Sequence, residues 1–290
     1  MQSYEQSQPR LRIVSSSPAI VESPFHKIVS WNVNGYRDVI HNWLTHYIVF
    51  NAPDVIFLSE TKKSEEFLRI KFTEFVDYNF IINSHVPWKW HGVAMLIRKT
   101  NRYQHMAMAM NIPVRNDNQS NEAATGRVIA ILLNNQMYLV GSYTPNSGRN
   151  DIQKLTYRVQ TWDPAFAVLL DIFRNAGPTI WLGDINVALD DIDVSNPKSM
   201  KNYAGFTVQE RHNLRQLLTT GNWVDIWRHQ HPYDKMYTWR GLADPNTYGM
   251  RLDNIIMTSN LVTTTEQSYM ITNCPIAADH VPVCVNILRN

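Results

Sequence analysis

The chain has 290 residues, 44% hydrophobic and 18% charged, an ordinary globular composition able to bury a sizeable core. Lys and Arg number 27 against 25 Asp and Glu, a net charge of +2, so binding to a polyanion must come from a local basic patch and not a global field. Two cysteines, Cys274 and Cys284, exclude a disulfide framework, and no apolar run reaches membrane length, so a soluble intracellular protein with no membrane partner is expected.

Residues 1–25, rich in Ser, Gln and Pro, read as a flexible tail in which Arg10 and Arg12 are too few for a nuclear import signal. No second linker or repeat follows, so residues 26–290 are expected to form one domain. A strand is predicted at 27–31, a helix at 38–51, then strands at 55–59, 93–98, 128–133 and 137–143. A helix at 152–175, a strand at 179–182, a helix at 207–220 opened by the capping pair Thr207 and Glu210, and strands at 252–257 and 282–288 complete the order. The alternation is not that of a parallel barrel. It fits an α+β four-layer sandwich, two packed mixed sheets flanked by helices.

Polar residues recur where these strands end. Asn32 and Asn34 follow the first, Glu60 the second, and Tyr143 and Asn146 the fifth. Asp184 and Asn186 follow the run ending at Leu182, after Gly183, which lets the backbone turn tightly. Asp279 and His280 precede the last strand. Asp253 lies inside an apolar run, where an acid is costly without a partner, and Arg251 is one structural partner to consider. If these strands share a sheet edge, the acids, amides and imidazole assemble in one crevice. Oxygen ligands with one histidine suit Mg²⁺ or Mn²⁺ and not Zn²⁺, and such an ion beside a His–Asp pair points to phosphoryl chemistry. The competing reading is a set of unrelated polar strand caps.

With these motifs laid out, the chain resembles the endonuclease/exonuclease/phosphatase superfamily over about 27–287, and within it the exonuclease III-like abasic-site endonucleases. Superfamily motifs are Trp31-Asn32-Val33-Asn34-Gly35, Ser59-Glu60-Thr61-Lys62, Tyr143-x-Pro145-Asn146, Gly183-Asp184-x-Asn186 and Asp279-His280. More specific to the branch are Asn196-Pro197-Lys198, Gly205-Phe206-Thr207-x-Gln209-Glu210-Arg211, Tyr237-Thr238-Trp239 and Arg251-Leu252-Asp253. The resemblance implies a DNase I-like fold and Mg²⁺-dependent cleavage 5′ to abasic sites in double-stranded DNA during base-excision repair. It also implies 3′-phosphodiesterase and 3′→5′ exonuclease activity, no small-molecule cofactor, a monomer, and a nuclear location in a eukaryote or a cytoplasmic one otherwise.

By the same resemblance Glu60, with Asn34 and Asp279, would hold the ion, and Asp184, Asn186 and His280 would complete the metal-facing set. Asp184 would activate or position the attacking water with help from Asn186, and His280, oriented by Asp253, would donate to a phosphate oxygen. Tyr143 and Asn32 would contact the phosphate, with Asn146 nearby. Trp239, Met250 and Leu252 match positions lining an apolar pocket for an extrahelical base-free sugar, and Lys62, Arg127, Arg149 and Lys201 would meet the DNA backbone. Departures are Asn34 where some members carry Asp, Ala278 for a frequent Ser, Arg240 for a second aromatic, and Met250 for a bulkier Trp. A looser pocket would favour exonuclease action. Two alternatives stand beside this reading: a retroelement-type endonuclease nicking intact DNA, and an inactive nucleic-acid-binding scaffold on the same fold.

Overall fold

The computed structural model describes residues 23–85, 90–106, 126–241 and 249–289. The expected tail lies outside these residues up to position 22, and the first strand already begins at Phe25.

Strand β1 (Phe25–Asn32) runs parallel to β2 (Val55–Ser59) at the centre of a six-stranded sheet. β4 (Val93–Arg98) and β3 (Tyr78–Asn83) extend it on one side, β14 (Val283–Leu288) and β13 (Thr265–Met270) on the other. The second six-stranded sheet has β7 (Met137–Tyr143) parallel to β8 (Thr179–Asp184) at its centre. β6 (Val128–Leu133) and β5 (Tyr103–His105) flank β7; β12 (Asp253–Thr258) and β9 (Trp223–Asp225) flank β8. A two-stranded ribbon, β10 (Trp239–Arg240) and β11 (Gly249–Met250), stands at the mouth.

Alternation along β2 shows how the layers form. Val55 and Phe57 point into the core shared by the two sheets, with Ile28, Met95, Ile131, Leu139 and Leu182. Ile56 and Leu58 point the other way, onto α1 (Asp38–Asn51) and α2 (Glu65–Phe72), through Ile40, Leu44, Leu68 and Phe72. The second sheet repeats this: Val140 and Trp181 face out onto Phe166 and Leu170 of α4 (Asp163–Ala176) and Leu214 of α6 (Val208–Thr220). Each such side chain contributes roughly 1.5–3 kcal/mol on leaving water. The four-layer α/β sandwich is therefore the architecture observed, with α5 (Pro197–Met200) and α7 (Ile226–Gln230) in the connections.

Two differences from expectation have local causes. The single helix predicted over 152–175 is α3 (Ile152–Tyr157), a π-turn (Arg158–Trp162) and α4. Pro164 has no N–H for a helical bond and crowds the preceding turn, and Asp163 N–H reaches back to Arg158, five residues away. The sheet edges β3 and β13 are not predicted: half-buried β13, Thr-Glu-Gln-Ser-Tyr-Met, carries no continuous apolar run, and in β3 the run is only Phe80-Ile81-Ile82 between two asparagines. The capping box at Thr207 and Glu210 is present as read.

Candidate active site

Both parallel pairs end on the same side, and outside the carboxyl ends of parallel strands backbone groups are left free for a ligand. β1 brings Asn32 level with Ser59, so Glu60 emerges beside it. In the second sheet Tyr143, Asp184 and Asp253 lie in one row across β7, β8 and β12. Asn34, Glu60, Lys62 and Asn186 all adopt left-handed backbone, with φ of 43°, 52°, 50° and 51°. Such conformations cost non-glycine residues energy and collect at functional turns. Gly183 has φ 139°, and a Cβ there would lie 1.9 Å from the Ser142 carbonyl oxygen, so the Gly-Asp-x-Asn turn admits only glycine.

One amide joins the sheets. Asn32 Nδ2 donates to Glu60 Oε1 at 3.0 Å and to Asp184 Oδ2 at 2.9 Å, while its Oδ1 accepts from Asn34 N–H at 3.0 Å. Asp184 Oδ1 accepts from Asn186 N–H at 2.9 Å; Asn186 Nδ2 donates to the Thr144 carbonyl, and its Oδ1 accepts from Asn146 Nδ2 at 3.0 Å. His280 Nδ1 lies 2.6 Å from Asp253 Oδ2, and its Nε2 points toward Asp184 Oδ2, 4.0 Å away. The Trp31 indole holds the His280 carbonyl at 3.0 Å, and the buried Thr238 hydroxyl accepts from both Leu252 and Asp253 N–H. Arg251 does not pair with Asp253. It turns to Asp193 and Asp225, both at 2.7 Å, leaving Asp253 to the imidazole.

Burial alone would strip the proton from His280, but Asp253, then Asp184 and Asp279, outweigh it and push its pKa up to about 10. Asp184 is raised to about 8 by burial and by Asp253, against the pull of His280 and the Asn32 amide. Burial also works against Glu60, yet Lys62 at 2.6 Å prevails and holds that carboxyl below its ordinary range. Burial and the neighbouring Glu60 and Asp184 keep the Tyr143 phenol neutral; it hydrogen-bonds Glu60.

Asp184, Asp253 and His280 offer ligand atoms within 4.8 Å of one another, a group that can hold a metal ion. The buried Oδ1 atoms of Asp253 and Asp279 have no hydrogen-bond partner, so carboxylate oxygen is left over for a cation. The donor set, oxygens with one imidazole, fits a hard divalent ion.

The residues expected at DNA divide. Trp239 is half-buried and spends its indole N–H on Asp279 Oδ2 at 3.1 Å; Met250 and Leu252 are buried with Phe206 and Val194 behind it. Arg149 and Lys201 are exposed, Arg149 over the Tyr203 ring. Arg127 is packed between the Tyr143 and Trp162 rings and donates to the Tyr143 carbonyl, so it supports that loop from behind. Lys62 bridges Glu60 Oε2 and Asn34 Oδ1 at 2.6 and 2.8 Å, inside the acidic crevice. Sequence reasoning placed Trp31 and Thr238 inside motifs without giving either a role, and it missed Arg158. All three act through backbone groups of residues elsewhere in the chain, and such partners are not written locally.

The fold and the crevice define a phosphodiesterase of the nuclease type, and comparison with known proteins agrees. The model of the Endonuclease/Exonuclease/phosphatase family matches residues 29–280, and the chain belongs to that family. It is 32% identical over 276 residues to a DNA-(apurinic or apyrimidinic site) endonuclease of Dictyostelium discoideum, covering 93% of this chain and 73% of that one. It is 30% identical to an exodeoxyribonuclease of Bacillus subtilis, covering 89% of this chain and 97% of the relative. Among solved structures an AP endonuclease from Leishmania major superposes with a TM-score of 0.78 at 24% identity, over 92% of this chain and 88% of the other, a likeness of fold. Among the described residues no helix is long and apolar enough to cross a membrane.

Proposed function

We propose that this chain is a Mg²⁺-dependent abasic-site endonuclease of DNA base-excision repair, cutting 5′ to the lesion in duplex DNA, leaving a 3′-hydroxyl, and trimming 3′ ends as a monomer. The observation that carries the reading is the Asn32 bridge: one neutral amide holds Glu60 and Asp184, from opposite sheets, within hydrogen-bond reach of the same atom, beside the Asp253–His280 pair. Residues 26–290 would be the catalytic domain.

In this reading Glu60, Asp279 and Asn34 hold the divalent ion, which when bound neutralises charge on the scissile phosphate and the leaving oxygen. Asp184 holds the attacking water against Asn186, and takes its proton or orients it. A cation beside Asp184 favours its ionised form and draws its high pKa down. His280, kept protonated by Asp253, donates from Nε2 to a phosphate oxygen as charge builds there. Tyr143, neutral and held by Glu60, and the Asn32 amide supply uncharged donors. Trp239, Met250 and Leu252 form the wall that accepts a base-free sugar, while Arg149, Lys201 and Lys62 meet the DNA backbone.

Incubation with a duplex carrying one tetrahydrofuran abasic analogue, in Mg²⁺ or in EDTA, tests this. Site-specific, EDTA-sensitive nicking is expected. Nicking of undamaged duplex selects the retroelement-type reading, and binding without cleavage selects the scaffold.

A further inference from the structure

We infer that Arg158 is a positioning residue of this reaction: one buried guanidinium clasps the backs of the two loops that carry Asn146 and Asp184–Asn186. The inference rests on the functional reading above.

Arg158 is 3% exposed and uses all three nitrogens. Nη1 donates to the Pro145 carbonyl at 2.9 Å, Nη2 to the Ile185 carbonyl at 2.9 Å, and Nε to Asp163 Oδ1 at 2.6 Å. Pro145 directly precedes Asn146, and Ile185 lies between Asp184 and Asn186. On the crevice side the same loops are stitched by Asn146 to Asn186, Asn186 to Thr144, and Thr144 N–H to the Asp184 carbonyl. The guanidinium closes that ring from behind, so neither loop can shift without breaking a charge-assisted bond.

The anchor is itself fixed. Asp163 Oδ2 accepts from Asn213 of α6 at 3.0 Å, and the same amide donates to the Val159 carbonyl. Arg158 and Asp163 sit five residues apart at the two ends of the π-turn, the wide turn forced by Pro164. In a regular helix residues five apart point to different faces; the extra residue of the π-turn brings this pair onto one face, aimed at the loops. A guanidinium is required, because its planar fork spans three acceptors that a single ammonium cannot reach together. The pair is neutral overall, so the clasp adds rigidity without altering the charge of the crevice.

The test combines cleavage of the tetrahydrofuran duplex with hydrogen exchange. Arg158→Lys, Arg158→Ala and Asp163→Asn are compared with the parent protein in kcat, KM, thermal midpoint and amide exchange at Thr144 and Asn186. Arg158→Lys is expected to lower kcat by roughly 10- to 100-fold, the scale set by sub-ångström misplacement of catalytic groups, with KM changed little. Exchange at Thr144 and Asn186 rises together, and millimolar guanidinium restores part of the kcat of Arg158→Ala. A folded Arg158→Lys with parental kcat and parental exchange at both loops overturns the inference, as does a rate loss accounted for by unfolding alone. Should Arg158→Ala not fold, Arg158→Lys and Asp163→Asn decide it on the same readouts. A parent protein that leaves the abasic duplex uncut defeats the functional reading and this inference with it; parental cutting with an indifferent Arg158→Lys defeats the inference alone.

Discussion

Arg251 and Asp253 are two residues apart, yet they serve two buried clusters of charge that differ in one respect. Around Arg251 the charges match: Asp193 and Asp225 face Arg251 and Arg228, and Asp193 Oδ1 accepts from both arginines at 2.7 and 2.6 Å. Around Asp253 they do not. Among the described residues the four acids Asp184, Asp253, Asp279 and Glu60 face His280 and Lys62, with Arg127 acting on Glu60 as well, and two carboxylate oxygens have no donor. Burial raises the pKa of any carboxyl, but at Asp193 the two arginines overcome it and hold the acid below its ordinary range, whereas at Asp184 it rises. A balanced cluster ties strands together; one with surplus acid has carboxylate oxygen to offer a cation.

Substitution separates the two most sharply. Asp184→Asn is expected to reduce abasic-duplex cleavage on the order of 10³-fold or more, since in the proposed mechanism it removes the group that would hold the water. In EDTA at pH 7 the same change should raise the melting temperature, because it removes a carboxyl whose charge the fold disfavours. Arg251→Met should do the reverse. Leaving Asp193 and Asp225 buried with fewer partners costs about 3–5 kcal/mol, seen as a lower denaturant midpoint, while the folded fraction keeps near-parental kcat. Equal loss of rate in both variants would erase the distinction.

The pH dependence of metal-free stability carries opposite signs in the two clusters. Asp184 titrates near 8 in the fold against an ordinary 3.8, so the native state binds the proton more tightly, and stability falls as pH rises from about 4 to 8. His280, raised from 6.5 to about 10, contributes stability that is complete below 6.5 and is lost as pH rises through 10. Asp193 is lowered, so its contribution is present above 3.8 and is lost as pH falls through its depressed native value. Melting curves in EDTA should therefore show a decline between about pH 4 and 8 that Asp184→Asn flattens and an acid limb that Asp193→Asn flattens. An unchanged decline over that range in Asp184→Asn would count against the crevice electrostatics.

How much of this was legible in the chain follows the range of the forces involved. Strands 55–59, 93–98, 128–133 and 137–143 and helix 38–51 were read to the residue, because burial of alternate or periodic faces is written locally. The polar strand ends were legible as a set for the same reason: each follows a recognisable apolar run. Partners were not. Arg251 stood two residues from Asp253 and was a plausible mate, but Asp193, 58 residues earlier, claims it. The pairing of Lys62 with Glu60 and Asn34 was not legible either, because two left-handed residues fold the chain back on itself there. Side-chain hydrogen bonds that span 100 residues or more, such as Asn32 to Asp184, leave no periodicity to read.

Lys62 gives a smaller test of surplus acid. Its ammonium covers two of the proposed ion-binding oxygens, so it would compete there with a divalent ion, and its charge would then be available to DNA phosphate. Lys62→Met should bind Mn²⁺ several-fold more tightly by calorimetry without DNA, while Glu60→Gln binds it more weakly. Weaker binding in Lys62→Met would mean that the lysine supports the ion site and does not compete for it.

The smallest expected effect concerns Trp239, which sits where the crevice meets the apolar wall and serves both. Its ring packs with Met250 and Leu252, and its N–H occupies Asp279 Oδ2, while Oδ1, which has no hydrogen-bond partner, is the oxygen proposed to meet the ion. Trp239→Phe keeps a wall and removes the donor, so Asp279 loses one charge-assisted hydrogen bond of about 1.5–3 kcal/mol; most of it is made alike in ground and transition states, and kcat should fall roughly threefold to tenfold. Preference for abasic over intact duplex should then stay unchanged. Trp239→Ala removes the wall as well, and there that preference should narrow, read as the ratio of kcat/KM on the two duplexes. If Phe and Ala variants keep both rate and preference, Trp239 is packing alone, and discrimination against intact nucleotides resides elsewhere at the mouth.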